Sequence, residues 1–345
     1  MGRIMEMVRG KDVLKMCTGL SFRNGNSHYF GRNLDLEIDY PISVTIAPRN
    51  YEYKFRHLDT TYKNHYAMIG MGMVVEGYPL MFEAINEKGL GIAGLAFWNS
   101  CHYFEPIEGK TNVASFELIP YIMADCATVE DARKKFENMN ITNEGFSVHM
   151  PPSPLHWIIG DDKETIVVEQ TIDGLKVYDD PYDVLTNEPT FPFHKENLNY
   201  YCNVCNHIKD FKESRFAPNM PDFRNFGAGT GSANLPGGLD PVSRFVRVAF
   251  YTLNSRCKDT ENTNISQFFH ILQSVAQPDG GDNNKPGEYE ITQYTCGCNT
   301  KTLRFYYTTY NNQSLNAVDL MKEDLEADQC KMIPVIRDLQ VNVQN

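Results

Sequence analysis

Met16-Cys17-Thr18-Gly19-Leu20-Ser21-Phe22, then Arg23-Asn24-Gly25-Asn26, then Ser27-His28-Tyr29-Phe30-Gly31: two runs rich in β-forming residues flank a short polar turn. Asn-Gly inside such a turn is a strong hairpin signal, and the strands are read as residues 17–22 and 27–31. The return strand continues into Arg32-Asn33-Leu34-Asp35 and brings that segment beside Cys17. Side chains alternate faces along a strand, so Arg32 and Asp35 need a local bend to converge. Read alone, Cys17 is either a small buried residue of an edge strand or a nucleophile, and the Arg-Asp pair is either a surface ion pair or part of a site. Met16 directly before Cys17 sharpens the second option. If the active chain starts after Met16, Cys17 holds a thiol and an α-amine on one residue, and an amine with a reference pKa of ~7.7–8 is a suitable base for its own thiol.

Outward from this hairpin, residues 42–47 alternate as a half-buried strand. Residues 66–75 and 90–97 are apolar runs separated by Asn86-Glu87-Lys88-Gly89, a turn sequence. Residues 155–160 and 165–171 pair around Asp161-Asp162, and Thr171-Ile172-Asp173-Gly174 turns into a further strand. Runs near 289–295 and at 303–310 close the series. Helices fall between these blocks. Residues 115–125 have helical apolar spacing, Thr128 with Asp131 three residues on predicts a capped second helix, Asp240-Pro241 is an N-cap and N1 pair, and Asn264 opens the last helix. Hairpins outnumber crossovers, which predicts a layered α+β fold with antiparallel sheets.

Composition bounds the function. The chain has 345 residues, with 42% hydrophobic, 22% charged and 12% aromatic residues, within the globular range. Lys plus Arg is 32 and Asp plus Glu is 44, giving −12, which argues against a phosphate-backbone partner. No apolar stretch reaches the ~18 residues of a membrane span. The first sixteen residues are mixed in charge and do not read as a secretory signal. Nine cysteines in such a chain are read as reduced thiols of a cytoplasmic protein.

The segments MCTGLSF and FGRNLDLE resemble the start of the choloylglycine hydrolase family, which contains bile salt hydrolases and penicillin V acylases and belongs to the N-terminal nucleophile hydrolases. The resemblance continues in order through INEKGLGIAGLAF, LHWIIGD, VLTNEPTF, DPVSRFVRVAF, QFFHILQSVA and YTTYNNQSLNAVDL. It implies a four-layer αββα sandwich of two mainly antiparallel sheets flanked by helices. Residues 17–345 would be a single domain, with residues 1–16 an N-terminal extension or a mis-set start, absent from the active form. It implies Cys17 as nucleophile, Arg32 beside the thiol, Asp35 holding the amine, Asn187 as oxyanion donor and Arg244 as second arginine.

Ala96 departs from the pattern. Bile-cleaving members carry an asparagine there and penicillin V acylases a tyrosine, so only the backbone N–H of Ala96 remains as a donor. Leu34, Met73, Met81, Phe82 and Ile141 are expected to contact substrate, with Met71, Phe97 and Trp98 as further apolar walls. The implied reaction is hydrolysis of a linear amide of a glycine- or taurine-conjugated bile acid, with no metal or organic cofactor. The implied assembly is a homotetramer without membrane or nucleic-acid partner. The alternatives are an acylase for penicillin V or an N-acyl homoserine lactone, and a catalytically silent binding protein for bile acids or acyl amides.

Three other features carry less. Cys202 and Cys205 with Cys296 and Cys298 supply four thiols, but their separation matches no standard zinc pattern. Gly227 to Gly231 is glycine-rich without a following Walker lysine. His156 beside Trp157 reads as a packed core histidine.

Overall fold

Strand Met16–Asn24 turns into strand Ser27–Leu36 with Asn24 opposite Ser27, Gly19 opposite Arg32 and Cys17 opposite Leu34. The turn needs its glycine: Gly25 has φ +58°, and the Asn26 N–H behind it donates to Asp259 (3.0 Å). This is a computed structural model, and it describes residues 16–37, 40–208 and 227–345.

The hairpin lies within a seven-stranded sheet. Val184–Leu185 flanks Met16–Asn24 on one side, and Glu288–Asn299, Arg304–Thr309 and Asn316–Asp319 follow Ser27–Leu36 on the other. A nine-stranded sheet packs against it. Its central strands, in spatial order, are Leu155–Gly160, Gly91–Ala96, Glu83–Asn86 and Met68–Val75. Every pairing within these two sheets is antiparallel among the described residues. Helices Pro241–Leu253 and Glu261–Gln273 cover the outer face of the first sheet, and Leu118–Met123 with Val129–Phe136 cover the second. The layers are therefore helix, sheet, sheet, helix, as the family resemblance implied. Helix Pro241–Leu253 illustrates why the layers hold: it buries Phe245, Val246, Val248 and Ala249, and the larger side chains contribute roughly 1.5–3 kcal/mol each.

The Thr128 and Asp240 caps are present, accepting from Asp131 N–H and Ser243 N–H respectively. Three expectations are corrected. The segment between residues 75 and 90 is more than a turn: strands Tyr78–Met81 and Glu83–Asn86 fold back onto Met68–Val75 through a tight turn at Glu76-Gly77. The last helix opens at Glu261 with Thr260 as its cap, because Asn264 is buried and turned to bond Asn24 and Asp259 instead. Residues 115–117 form a 3₁₀ turn before the helix proper.

Candidate active site

The fold separates the two ends of Cys17. A Cβ on Gly19 would meet Ile158 of the second sheet at 2.8 Å, so residues of that parity face the gap between the sheets. Cys17 shares that face and lines an inter-sheet cavity of about 170 Å3 together with Arg32 and Leu34. Arg32 is fully buried. Its Nη1 donates to the carbonyls of Gly94 (2.5 Å) and Phe82 (3.2 Å), its Nε donates to Asn33 O (3.2 Å), and its Nη2 has no partner. Burial pushes the Cys17 thiol up, and the Arg32 charge opposes that shift.

Thr18, one residue on, faces the helix layer, where Arg244 gathers the backbone. Arg244 Nη1 donates to the Cys17 carbonyl (2.6 Å) and to Thr18 Oγ1 (2.7 Å), Nη2 donates to Asn187 Oδ1 (2.7 Å), and Nε donates to Leu239 O (2.7 Å). Asn187 Oδ1 also accepts the Cys17 N–H (3.0 Å), and Asn187 Nδ2 donates to the Ala96 carbonyl (2.9 Å). His194 holds this asparagine by donating from Nε2 to its carbonyl (3.0 Å). Burial takes the His194 imidazole down to about 4, so it is neutral at ordinary pH.

Asp35 sits opposite Met16 in the hairpin. The bend expected to unite it with Arg32 does not form: the first hairpin stays in register through Asp35, and the two side chains flank Cys17 from opposite faces. The irregularity falls instead on the neighbouring strand, between Thr292 and Tyr294. Asp35 Oδ1 accepts the Thr292 hydroxyl (2.6 Å), while Oδ2 has no partner. Burial raises the Asp35 carboxyl to about 6, against the pull of Arg244. Beside it, Glu290 Oε1 accepts the Met16 N–H and Oε2 has no partner. Burial, and then the Asp35 charge, push Glu290 to about 9. Residues 1–15 of the proposed extension lie outside the described residues.

Met73, Met81, Phe82, Trp98 and Ala96 also line the cavity. Ala96 is opposite Leu155, but the ladder bond runs from Phe97 N–H to Pro154 O. The N–H and C=O of Ala96 therefore face the other edge, toward Asn187. Three expected wall residues stand elsewhere. Ile141 pairs with Val113 in a small parallel ladder and is fully buried in the core beneath the second sheet, its N–H bonded to Gln170. Met71 is fully buried in the core between strands, and Phe97 stacks on His156 at 4.3 Å. At the cavity rim, Glu188 accepts the N–H groups of Asn99 (2.8 Å) and Ser100 (2.9 Å) and the Ser100 hydroxyl (2.7 Å), fixing the turn that carries Trp98.

His156 is a buried core histidine bonded to Thr186 O (3.0 Å) and Glu169 (3.2 Å). Cys296 and Cys298 are buried in a strand whereas Cys202 is exposed, and among the described residues no group of three His, Cys, Asp or Glu is arranged to hold a metal. Sequence reading missed Glu83, Glu290, Thr292 and His194. It also missed the wall from Pro151 to Pro154, whose proline run was the one available signal.

Residues 17–333 match the profile of the linear amide C–N hydrolases, choloylglycine hydrolase family. The chain belongs to that family. The choloylglycine hydrolase fold is seen in a crystal structure of a conjugated bile acid hydrolase variant from Clostridium perfringens, with TM-score 0.88 and 35% identity over 95% of this chain and 100% of that one. The bile salt hydrolase/transferase of Lactiplantibacillus plantarum is 41% identical, covering 96% of this chain and 100% of the relative. The conjugated bile acid hydrolase of Lactobacillus gasseri is 40% identical, covering 91% and 98%. A penicillin V acylase from Agrobacterium tumefaciens shares the fold with TM-score 0.70 at 18% identity, covering 92% of this chain and 91% of that one.

Proposed function

We propose that this choloylglycine hydrolase family member cleaves the amide of glycine- and taurine-conjugated bile acids, and that its active form is a single domain beginning at Cys17. The observation that carries the reading is the placement of Cys17, its thiol in an apolar cavity, its N–H on Asn187, and the preceding Met16 beside Asp35 and Glu290. Loss of Met16 converts that N–H into an amine. Asp35 Oδ2 and Glu290 Oε2, without partners while Met16 is present, are then acceptors for the new amine, which becomes an ammonium on taking the thiol proton.

The chemistry follows from this arrangement. The Cys17 amine takes the thiol proton, and the Arg32 charge favours the thiolate. The sulfur attacks the amide carbon, a C–S bond forms, and the carbonyl electrons move to oxygen. Asn187 Nδ2 and the Ala96 N–H donate to that oxyanion. The Cys17 ammonium protonates the leaving nitrogen, the C–N bond breaks, and glycine or taurine departs. Water then attacks the thioester, releasing the bile acid and returning the thiol. Met73, Met81, Phe82 and Trp98 take the apolar face of the steroid.

A second reading is penicillin V acylase, because Ala96 is neither the asparagine of the bile-cleaving members nor the tyrosine of the acylases. Intact mass and N-terminal sequence of the purified protein, followed by kcat/KM for a taurine conjugate, a glycine conjugate and penicillin V, decide between them. A Cys17 start with bile conjugates preferred is expected. Preference for penicillin V by about tenfold or more promotes the acylase, and full turnover with Met16 still attached removes the amine base. The same reading makes the protein a cytoplasmic homotetramer, which light scattering on the eluted protein tests.

A further inference from the structure

A second buried cluster surrounds Arg32 and takes no part in the chemistry above. Glu83, fully buried, opens the strand Glu83–Asn86. Its Oε1 accepts the Met71 N–H (2.9 Å) and the Cys296 thiol (3.4 Å), and its Oε2 accepts the Tyr294 hydroxyl (2.7 Å) and lies 4.0 Å from Arg32 Nε. Among the described residues it is the carboxylate within ion-pair reach of Arg32. Cys296 is the register partner of Arg32 across the first sheet, and Tyr294 that of Leu34. The cluster thus binds a strand of the second sheet to two strands of the first, directly beside the nucleophile.

Neither charge is stable at this depth alone. A buried guanidinium without a counter-charge disrupts its surroundings, and a buried carboxylate without donors takes up a proton. Glu83 has donors on both oxygens, and Arg32 has two second-sheet carbonyls and this carboxylate. Glu83 does not line the cavity, so it touches no substrate. Phe82, the residue before it, does both jobs at once: its carbonyl holds Arg32 and it lines the acyl wall.

We propose that Glu83 is a positioning residue for the reaction, its carboxylate, held by Tyr294, Cys296 and the Met71 N–H, fixing the Arg32 guanidinium beside the Cys17 thiol. This rests on the reading of Cys17 as the nucleophile. The charged and titratable groups acting on Cys17 are Arg32, Asp35, Glu290 and Arg244, and those acting on Glu83 are Arg32, Tyr294 and Cys296. Removing the Glu83 charge has two opposed effects. If Arg32 stays in place, loss of a nearby anion makes the thiol more acidic. If Arg32 is released, the thiol loses its cation and becomes less acidic. The proposal requires the second outcome.

The experiment uses the purified active protein with Glu83→Gln, Glu83→Asp and Tyr294→Phe. The rate of Cys17 alkylation by iodoacetamide is followed against pH, with the Cys17 peptide resolved from the other thiols by mass spectrometry. Glu83→Gln should move the alkylation midpoint up by about one pH unit and lower kcat on a bile-acid conjugate by about thirtyfold with KM within about threefold. Glu83→Asp should recover part of both. A midpoint that is unchanged or moves down overturns the proposal. If Glu83→Gln does not fold, Tyr294→Phe carries the test: a smaller upward shift supports the proposal, and an unchanged midpoint overturns it. Alkylation needs no substrate, so a wrong bile-acid assignment leaves this readout intact.

Discussion

The two arginines that flank Cys17 are both fully buried, and burial weakens the hold of both on the proton, yet their net shifts have opposite sign. On the inter-sheet side, burial is outweighed by the electrostatic pull of the acidic groups around Arg32, the Cys17 thiol, the Tyr294 phenol and the Glu83 carboxyl, and its affinity for the proton rises. On the helix side, Arg244 bonds neutral acceptors, the carbonyls of Cys17 and Leu239, Thr18 and Asn187, and burial lowers it despite Asp35. The inner side is a charge-paired mount for the thiol. The outer side is a polar grip on the backbone with two carboxylates, Asp35 and Glu290, each keeping one oxygen unpartnered while Met16 is in place. On the inner side the unpartnered atom is a guanidinium nitrogen, Arg32 Nη2, whereas on the outer side the unpartnered atoms are carboxyl oxygens.

The largest break in this contrast comes from the residue both sides share. Cys17→Ser should cut kcat/KM on a bile-acid conjugate by about a thousandfold or more while leaving thermal melting within a few degrees, because the hydroxyl keeps the packing but not the nucleophilicity. Wild-type turnover would remove Cys17 from the reaction. Arg244→Ala should strike fold and activity together. It removes four hydrogen bonds, three of them buried, and leaving such partners unmet costs about 3–5 kcal/mol, read as a shift of the urea midpoint.

Asp35→Asn tests the outer carboxylates more gently. It should abolish most amide hydrolysis by the Cys17 form while folding is kept, and retained activity would deny Asp35 its hold on the amine. Glu290→Gln gives a pH signature in the full-length chain. The Glu290 carboxyl is raised to about 9, so between its unfolded value and 9 the folded state binds the extra proton and stability falls as pH rises. Glutamine removes that loss while its Oε1 still accepts the Met16 N–H. The variant should therefore melt higher than wild type at pH 9 and differ little at pH 4.5; equal melting at both would mean that Glu290 is not held protonated. Ala96→Asn is the smallest expected effect, a gain of a few fold in bile-conjugate turnover. A true oxyanion donor is worth ~2.7–4 kcal/mol, but the Ala96 N–H already faces Asn187.

Much of this was legible before the fold. Asn24-Gly25 marked the hairpin, and the hairpin register alone sets Cys17 beside Leu34 and Met16 beside Asp35. The Thr128 and Asp240 caps were legible because capping uses neighbouring residues. What stayed hidden depends on contacts distant in the chain. Glu83 reads as an ordinary polar residue between apolar ones, and only the sheet stacking brings Arg32, Tyr294 and Cys296 around it. Glu290 likewise needs the strand Glu288–Asn299 to end beside Met16. Ile141 failed as a wall residue because a resemblance carries side-chain types along the chain without saying on which side of a sheet each one falls.

Glu188 adjoins Asn187, and its carboxylate grips the turn that carries Trp98. The turn carrying the cavity-lining Trp98 and the proposed oxyanion donor Asn187 are thereby joined through adjacent residues. On the proposed function, a bulky acyl group that pushes this turn outward is expected to shift Asn187 through Glu188 as well. Oversized guests are then penalised in the speed of bond cleavage more than in the tightness of their seating, so size selection by this protein should be sought in kcat.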